Sequence, residues 1–430
     1  MKLALKNIGK IKEASVELNG ITVIAGENNT GKSTVGKVLY SVFNNYYKLE
    51  DQIRKEREET IESILSTLYR NVTKRMTSRV DTEEIAQNIV SDSENLLNNK
   101  DVLRKQIIEA IVQDDENFEK YVNSETKDNE KFFSNAIERV LNVIQISDAE
   151  IFKSILSKKF EAEFNGQINN IFSEDEGEVN LYIKNECVTI SIYDDEVISF
   201  SNFFHLETEV IYIDDPFVLD EQGIYTFIRR YGRYVDHRTH LRSKLFLNES
   251  DNSIINEIMV NDKLESIYEK INSICDGEIV RSKRASFGYK KLGTDKVLSI
   301  KNVSTGLKTF VILKMLLQNG TLEENGTIVL DEPEIHLHPE WQLLFAELIV
   351  LIHKEFNMHI LLNTHSPYFL NAIEVYSAKY EIADRCKYYM ATLEDDIAMI
   401  QDVSGSIDMI YKKLARPLQT LENERYGHND

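Results

Sequence analysis

Proline is nearly missing from this chain, with five in 430 residues and the first of them at Pro216. No glycine occurs between Gly36 and Gly166 either, so nothing there breaks a helix, and residues 48–172 are expected to be a helical insertion. Sustained heptads are missing as well, which excludes one long coiled coil and favours several shorter helices. Polar interruptions with helix-start chemistry, Asp81-Thr82-Glu83-Glu84 and Ser91-Asp92-Ser93-Glu94, mark where they divide. No apolar run approaches the ~18 residues that a membrane-spanning helix requires. Met1 to Lys6 is too short and too interrupted for a signal peptide. These absences lead to the expectation of a cytoplasmic protein with no membrane attachment. The three cysteines, Cys187, Cys275 and Cys386, lie far apart and match no zinc or disulfide spacing, so they read as structural thiols in a reducing compartment. Basic charge is in deficit: 50 Lys and Arg face 71 Asp and Glu, a formal net charge of -21. A surface that coats itself on nucleic acid is thereby excluded, and any such contact must be local.

What is present is enough apolar residue, 42% of the chain, to build full cores in two or three packing units. Strands are expected at Leu3 to Lys6, Ala14 to Leu18 and Ile21 to Ala25, with Asn19-Gly20 as a turn. After the helical insertion, alternating runs at Val179 to Ile183, Val188 to Ile192 and Glu209 to Ile213 return to strand character. A second helical segment is expected over 217–276. Helix 305–318, strand 327–331, helix 339–353, strand 358–363 and helix 367–376 then give the rhythm of a parallel α/β sheet. The organisation reads as an N-terminal lobe (1–47), the insertion (48–172), returning strands (173–216), the second helical segment (217–276), a C-terminal lobe (277–376), and final strands, helix and tail (377–430).

Gly26-Glu27-Asn28-Asn29-Thr30-Gly31-Lys32-Ser33 fits G-x-x-x-x-G-K-[ST], directly after an apolar strand and opening a helix. In that context the backbone from Gly26 through Asn28, Asn29, Thr30 and Gly31 to Ser33 and Thr34 can wrap phosphates. Lys32 can reach the β- and γ-phosphates, and Ser33 can ligate Mg²⁺. The complementary half is an apolar strand ending in acids, Thr327-Ile328-Val329-Leu330-Asp331-Glu332. Asp331 would hold the Mg²⁺ shell, and Glu332 is placed to polarise an attacking water.

With these residues the chain resembles the ABC-type P-loop ATPases of the chromosome-maintenance and DNA-repair branch, and within it the bacterial ATPases related to the OLD group. Val303-Ser304-Thr305-Gly306-Leu307-Lys308 looks like the signature motif, Asp331-Glu332-Pro333 like Walker B, Ile335-His336-Leu337-His338 like the D-loop and Thr364-His365-Ser366 like the switch histidine. The resemblance covers residues 1–40 and 205–376. It implies an α/β ATPase head, with a mixed parallel core sheet, an antiparallel β subdomain and a large helical insertion. It also implies ATP and Mg²⁺ as ligands, and a homodimer in which Ser304 and Gly306 of one copy meet the γ-phosphate held by the other while His365 senses it. Two positions depart from the pattern. Leu307-Lys308 replaces the usual glycine and glutamine or glutamate, and Asp214-Asp215 stands where the family places a glutamine. The 65 residues that follow His365 (366–430) are too few for the nuclease domain of OLD-type proteins.

The remaining clusters carry less. His336 and His338 form an H-x-H without evident further ligands, so a metal reading is not adopted. His237 and His240 read as part of a solvated charged helix. Around them Arg229, Arg230, Arg233, Arg238, Arg242 and Lys244, interleaved with Phe227, Tyr231 and Tyr234, make a basic aromatic island. Either local nucleic-acid contact or pairing with acids of this chain or a partner explains it. A second basic group, Arg281, Lys283, Arg284, Lys290 and Lys291 around Phe287 and Tyr289, raises the same choice. The functional expectation is an ATPase that switches by head dimerisation and works with a separate effector protein in genome maintenance or anti-phage defence. The alternatives are a non-hydrolysing nucleotide sensor and, against the long insertion, a transporter subunit.

Overall fold

The computed structural model describes residues 1–74, 80–97, 99–116, 118–122, 127–221, 234–246, 254–281 and 287–426. The chain forms two compact units, one of Met1–Tyr47 with Leu156–Asp430 and one of Lys48–Ile155.

The smaller unit is helical, as the absence of breakers predicts. Its helices are Leu49–Thr73, Thr82–Ser91, Ser93–Leu96, Lys100–Asp114, Phe118–Val122 and Lys127–Gln145. Asp81 caps the second of them, its side chain accepting from the Glu84 N–H at 3.0 Å. Ile61, Leu65, Tyr69, Ile107, Phe133 and Val140 form part of one buried apolar cluster. The unit ends earlier than residue 172. Helix Asp148–Phe164 runs on into the larger unit. There the following segment is tied by the Gly9 N–H to the Ile168 carbonyl at 2.8 Å and by a bridge between Ile8 and Asn169.

The larger unit is built on one mixed sheet of eleven strands. Its strands are β1 (Lys2–Ile8), β2 (Ile11–Glu17), β3 (Ile21–Gly26), β4 (Gly177–Ile183), β5 (Glu186–Tyr193), β6 (Glu196–Phe200) and β7 (Val210–Ile213). A separate three-stranded antiparallel sheet holds β8 (Gly277–Arg281), β9 (Phe287–Lys291) and β10 (Val297–Ser299). β11 (Thr327–Asp331), β12 (His359–Thr364), β13 (Cys386–Glu394) and β14 (Ile397–Asp402) complete the large sheet, in the order β6-β5-β4-β1-β2-β14-β13-β3-β12-β11-β7. β7, β11, β12, β3 and β13 run parallel, and the β13–β14 hairpin joins them to the antiparallel strands, with β14 parallel to β2. The parallel core and the expected antiparallel subdomain are thus continuous, an α/β fold.

Every residue of β3 and β11 is buried, as a parallel strand covered on both faces requires. Helices Lys32–Tyr46, Thr305–Gln318, Pro339–Phe356 and Pro367–Lys379 are each amphipathic or apolar enough to supply that cover. In the core Phe345 stacks on Phe369, and Phe310 meets Phe345 and Trp341 edge to face. Among the described residues no helix is long and apolar enough to cross a membrane.

The close approach of β13 to β3 explains one glycine of the loop motif. A Cβ on Gly26 would lie 2.3 Å from the Ala391 carbonyl oxygen, a backbone atom that cannot turn aside. Gly26→Ala should therefore destabilise the protein by about 1–3 kcal/mol, read as a lower denaturant midpoint; an unchanged midpoint would refute this packing.

Two histidines, one opening β12 and one on the helix before it, make the fold acid-sensitive. His353 is buried, with Nδ1 2.7 Å from the Met358 carbonyl, and burial lowers its pKa. Burial, then the N-terminal ammonium and His353, push His359 down to about 4. The unfolded chain takes up the proton near pH 6.5, so it carries more protons than the folded state between about 6.5 and 4. Stability is complete above that window and falls as the pH drops through it, by about 1–2 kcal/mol after allowing for the partial exposure of His359. Denaturant melts from pH 4 to 8 should flatten in His359→Gln, and an identical pH dependence in that variant would dismiss the assignment.

Candidate phosphate-binding site

The glycine-rich loop connects β3 to helix Lys32–Tyr46. Asn29 (φ 67) and Gly31 (φ 81) are both left-handed, which turns the backbone into a concave, anion-accepting curve ahead of the helix N-terminus. Thr30 pins the turn by donating from Oγ1 to the Glu27 carbonyl at 2.8 Å. Gly36, one turn into the helix, lets it lie close on the sheet: a Cβ there would be 2.9 Å from Val329 Cγ1. Asn28, Asn29, Thr30, Gly31, Lys32, Ser33 and Thr34 line a cavity of about 600 Å³, together with Asp331 and Glu332.

Lys32 is buried, and its Nζ donates to the carbonyls of Gly26 at 3.0 Å and Glu27 at 2.8 Å. The same ammonium lies 3.3 Å from Glu332 Oε1. Asp331 ends β11, where its Oδ2 accepts from the Tyr212 hydroxyl at 2.8 Å and its Oδ1 from Asn363 Nδ2 at 3.0 Å. Both donors come from neighbouring parallel strands and fix the direction of the carboxylate. Glu332 takes a φ of 50°, which costs a non-glycine residue on the order of 1–3 kcal/mol. Its N–H donates to the Asn363 carbonyl at 2.9 Å, which holds the turn.

At the end of β12, His365 Nδ1 lies 3.4 Å from Glu332 Oε1 and 3.8 Å from Glu334 Oε1. The contact with His365, and then the charge of Lys32, hold the Glu332 carboxyl below the usual range against the opposing effect of burial. Glu332 in turn raises the pKa of His365. Glu334 is 2% exposed and burial raises its pKa, while Thr364 Oγ1 and the His365 N–H donate to it. Glu334 thereby anchors the loop that presents His365.

The arrangement fits a polyphosphate through the left-handed loop, the helix N-terminus and the Lys32 ammonium. It fits a hard divalent cation through the Ser33 hydroxyl and the Asp331 carboxylate on the same cavity. Ser304 and Gly306 are not among the residues that line it. Ser304 is the N-cap of helix Thr305–Gln318 without a side-chain capping bond. Gly306 lies where a Cβ would be 2.7 Å from the His336 carbonyl oxygen, so the start of helix Thr305–Gln318 abuts the segment around His336.

Lys308, one of the departures from the motif, is 1% exposed, its Nζ bonded to Asp220 Oδ2 at 2.7 Å and lying 5.2 Å from the Phe217 ring centroid. Here the lysine ties helix Thr305–Gln318 to the turn that follows β7.

Several residues of the site escaped sequence reasoning. His237 and His240 are not on a solvated helix face, which corrects that expectation. His237 is 5% exposed, 2.7 Å from Glu163 Oε1 and 3.1 Å from Asp214 Oδ2. His240 pairs with Glu209 at 3.1 Å. Burial would lower the pKa of His237, but bonding to Asp214 and Glu163 raises it to about 9. The sole local hint in the sequence was the acid pair after β7; Glu163 and Tyr212 carry none.

The basic island is internally paired where it is described. Arg238 bonds Asp214, Arg242 bonds Glu221 at 2.6 Å, and Lys244 pairs with Glu209. Residues 222–233, with Phe227, Arg229, Arg230, Tyr231 and Arg233, lie outside the described residues, as do Lys283 and Arg284. Among the described residues no group of three His, Cys, Asp or Glu is placed to hold a metal ion by itself.

Residues 237–370, less than a third of the chain, match the AAA ATPase domain family. The segment contains the signature-like helix, Asp331, Glu332 and His365, and stops short of the glycine-rich loop. A curated relative, the "Retron Vc95 probable ATPase" of Vibrio cholerae serotype O1 biovar El Tor, is 30% identical over 120 residues, 25% of this chain and 22% of the relative. The match thus spans less than a quarter of that relative's length. Among solved structures, an SmcHead bound to the C-winged helix domain of ScpA aligns at TM-score 0.41 with 13% identity, covering 95% of this chain and 98% of that one. The SMC head domain from Thermotoga maritima aligns at TM-score 0.37 with 11% identity, covering 94% and 98%. TM-scores this low carry no functional argument. The family match and the curated relative support a P-loop ATPase of the kind the motifs resemble.

Proposed function

We propose that this chain binds ATP with Mg²⁺ in the cavity under its glycine-rich loop and hydrolyses it, acting in the cytoplasm as a switch between two copies of itself. The observation that carries the reading is the convergence of Lys32, Asp331 and Glu332, from one helix start and one strand end, on a single cavity, with His365 after the neighbouring strand reaching Glu332. Gly26, Asn28, Asn29, Thr30, Gly31 and Thr34 would supply the loop around the phosphates, with Lys32 reaching the terminal ones. Ser33 and Asp331 would hold the cation, which when bound neutralises charge on the transferred phosphoryl group. Glu332 takes the proton of the attacking water, and His365 stands beside it to contact the terminal phosphate.

In the proposed dimer Ser304 and Gly306 of one copy face the phosphate held by the other, in keeping with their position outside the cavity of their own chain. ATP then holds two surfaces together and hydrolysis releases them. The setting proposed for this switch is genome maintenance or anti-phage defence, with a separate effector protein. A second reading, a non-hydrolysing sensor in which ATP gates assembly, is favoured by the buried Lys308–Asp220 pair, because a paired lysine stands where the resembled motif carries glutamine or glutamate.

The test is ATP turnover by the purified protein with and without double-stranded DNA, single-stranded DNA and RNA, alongside its mass in solution with ATP. Turnover with an ATP-dependent doubling of mass supports the switch, and stimulation by one polymer adds nucleic acid as a partner. Nucleotide binding without turnover selects the sensor, and no nucleotide binding ends both readings.

A further inference from the structure

The first turns of helix Lys32–Tyr46 divide the cavity into two walls. Ser33 and Gly36 face the strands that carry the acids, with the Tyr212 hydroxyl 3.4 Å from the Ser33 carbonyl oxygen and Val329 against Gly36. Thr34 and Lys37, each one position further along, point ~100° away around the helix. There a Cβ on Gly9 would lie 3.2 Å from Thr34 Cγ2, and Lys37 Nζ donates to the Glu163 carbonyl at 3.3 Å. A terminal phosphate drawn to Lys32, Asp331 and Glu332 leaves the rest of a nucleotide to this second wall, which Gly9, Lys10, Phe164, Gln167, Asn169 and Ile171 line. Residues 164–171 lie outside the stretches in which the chain resembles other ATPases.

That wall is pinned by hydrogen bonds rather than left loose. Asp195 Oδ1 accepts from the N–H groups of Ile168 and Asn169 at 2.6 and 2.8 Å. Asn170 is buried, its N–H donating to the Asn7 carbonyl at 3.0 Å and its Oδ1 accepting from the Phe172 N–H at 2.8 Å. Held between these anchors, Ile171 is 72% exposed on the lip of the cavity. Its side chain adds little to the core, and a flat apolar ligand laid against it would be taken out of water. Phe164, backed by Phe160 with ring centroids 6.1 Å apart, adds an aromatic surface to the same wall. Of the two amides there, that of Asn169 is already engaged, Nδ2 with the Ile192 carbonyl at 3.1 Å and Oδ1 with the Asp195 N–H at 2.9 Å. The Gln167 side chain is exposed and makes no hydrogen bond among the described residues. Apolar walls with one convergent amide suit a heterocyclic base and not a phosphate.

We propose that Ile171 and Phe164 form the platform on which the nucleobase lies, and that the Gln167 amide selects adenine. An amide offers a donor beside an acceptor, which matches N7 and the N6 amino group of adenine as a pair, whereas guanine presents two acceptors on that edge. The proposal rests on the nucleotide reading of the cavity. It is tested by isothermal titration of the full chain with ATP, GTP and inorganic tripolyphosphate, each with Mg²⁺, for the parent, Ile171→Ala and Gln167→Ala. Both substitutions fall on exposed side chains, so the fold should survive them, which a thermal melt checks. Ile171→Ala should weaken ATP and GTP alike by about 5–20-fold and leave tripolyphosphate within about two-fold. Gln167→Ala should weaken ATP about 3–10-fold with GTP unchanged, so that the preference for ATP shrinks. An Ile171→Ala variant with the parent's ATP affinity, or with equal losses for ATP and tripolyphosphate, would overturn the platform, and an unchanged ratio of ATP to GTP affinity in Gln167→Ala would overturn the selection of adenine. A parent that binds tripolyphosphate as tightly as ATP sinks this inference alone, while a parent that binds neither ends the nucleotide reading itself.

Discussion

Glu332→Gln should lower ATP turnover by at least about 100-fold, the contribution expected of a positioned general base, while ATP affinity stays within a few fold. The amide keeps the size of the side chain and its reach toward Lys32 and His365, 3.3 and 3.4 Å from the carboxylate, but it cannot take a proton from water. The backbone argues in the same direction. A left-handed glutamate, held by the Asn363 carbonyl, stores strain to aim one side chain, and strain of this kind gathers where aim matters. Because binding survives and hydrolysis does not, the variant should accumulate as an ATP-bound dimer, read as doubled mass in solution with ATP. Turnover at the parent rate would remove Glu332 from the base role.

Lys32→Ala should weaken ATP binding by about 100-fold or more, the loss expected when one partner of a buried charge pair is truncated. In this structure the ammonium bonds the Gly26 and Glu27 carbonyls and faces Glu332. It is therefore buried and held in place before any ligand arrives, and little ordering entropy opposes its contact with phosphate. Isothermal titration with ATP and Mg²⁺ gives the number, and a thermal melt checks that the variant folds. Retained affinity would mean that the loop backbone alone carries the nucleotide. The two variants separate the two halves of the site, since one should lose the ligand and the other should hold it without turnover.

Much of this was legible in the sequence because it rests on local rules. A loop that must curve around an anion needs residues tolerant of positive φ at fixed offsets, and Asn29 and Gly31 supply them between an apolar strand and a helix start. Strands buried on both faces read as short apolar runs ending in acids, and Thr327 to Asp331 is one. The unbroken helical stretch followed from the absence of proline and glycine, although its compact unit closes at Ile155 rather than 172. That difference was not readable, because it depends on the pairing of Ile8 with Asn169, two residues far apart along the chain.

Only the tertiary structure decided where β13 goes. Its insertion between β14 and β3 makes one continuous sheet and sets the space allowed at Gly26. Nothing in the composition of residues 386–394 names that neighbour, since strand pairing is chosen by the faces left open once the rest has assembled. The same holds for the row Glu163–His237–Asp214. Each residue taken alone reads as an ordinary polar position, and together, from a helix end, a helix start and a strand end, they become a buried charged line ending at the phosphate cavity. The sequence by itself determined the loop, the acids and the helical stretch, whose causes lie within a few residues. The structure alone decided the strand order, the limits of the units and the pairing of buried charges, whose causes lie in contacts between distant segments.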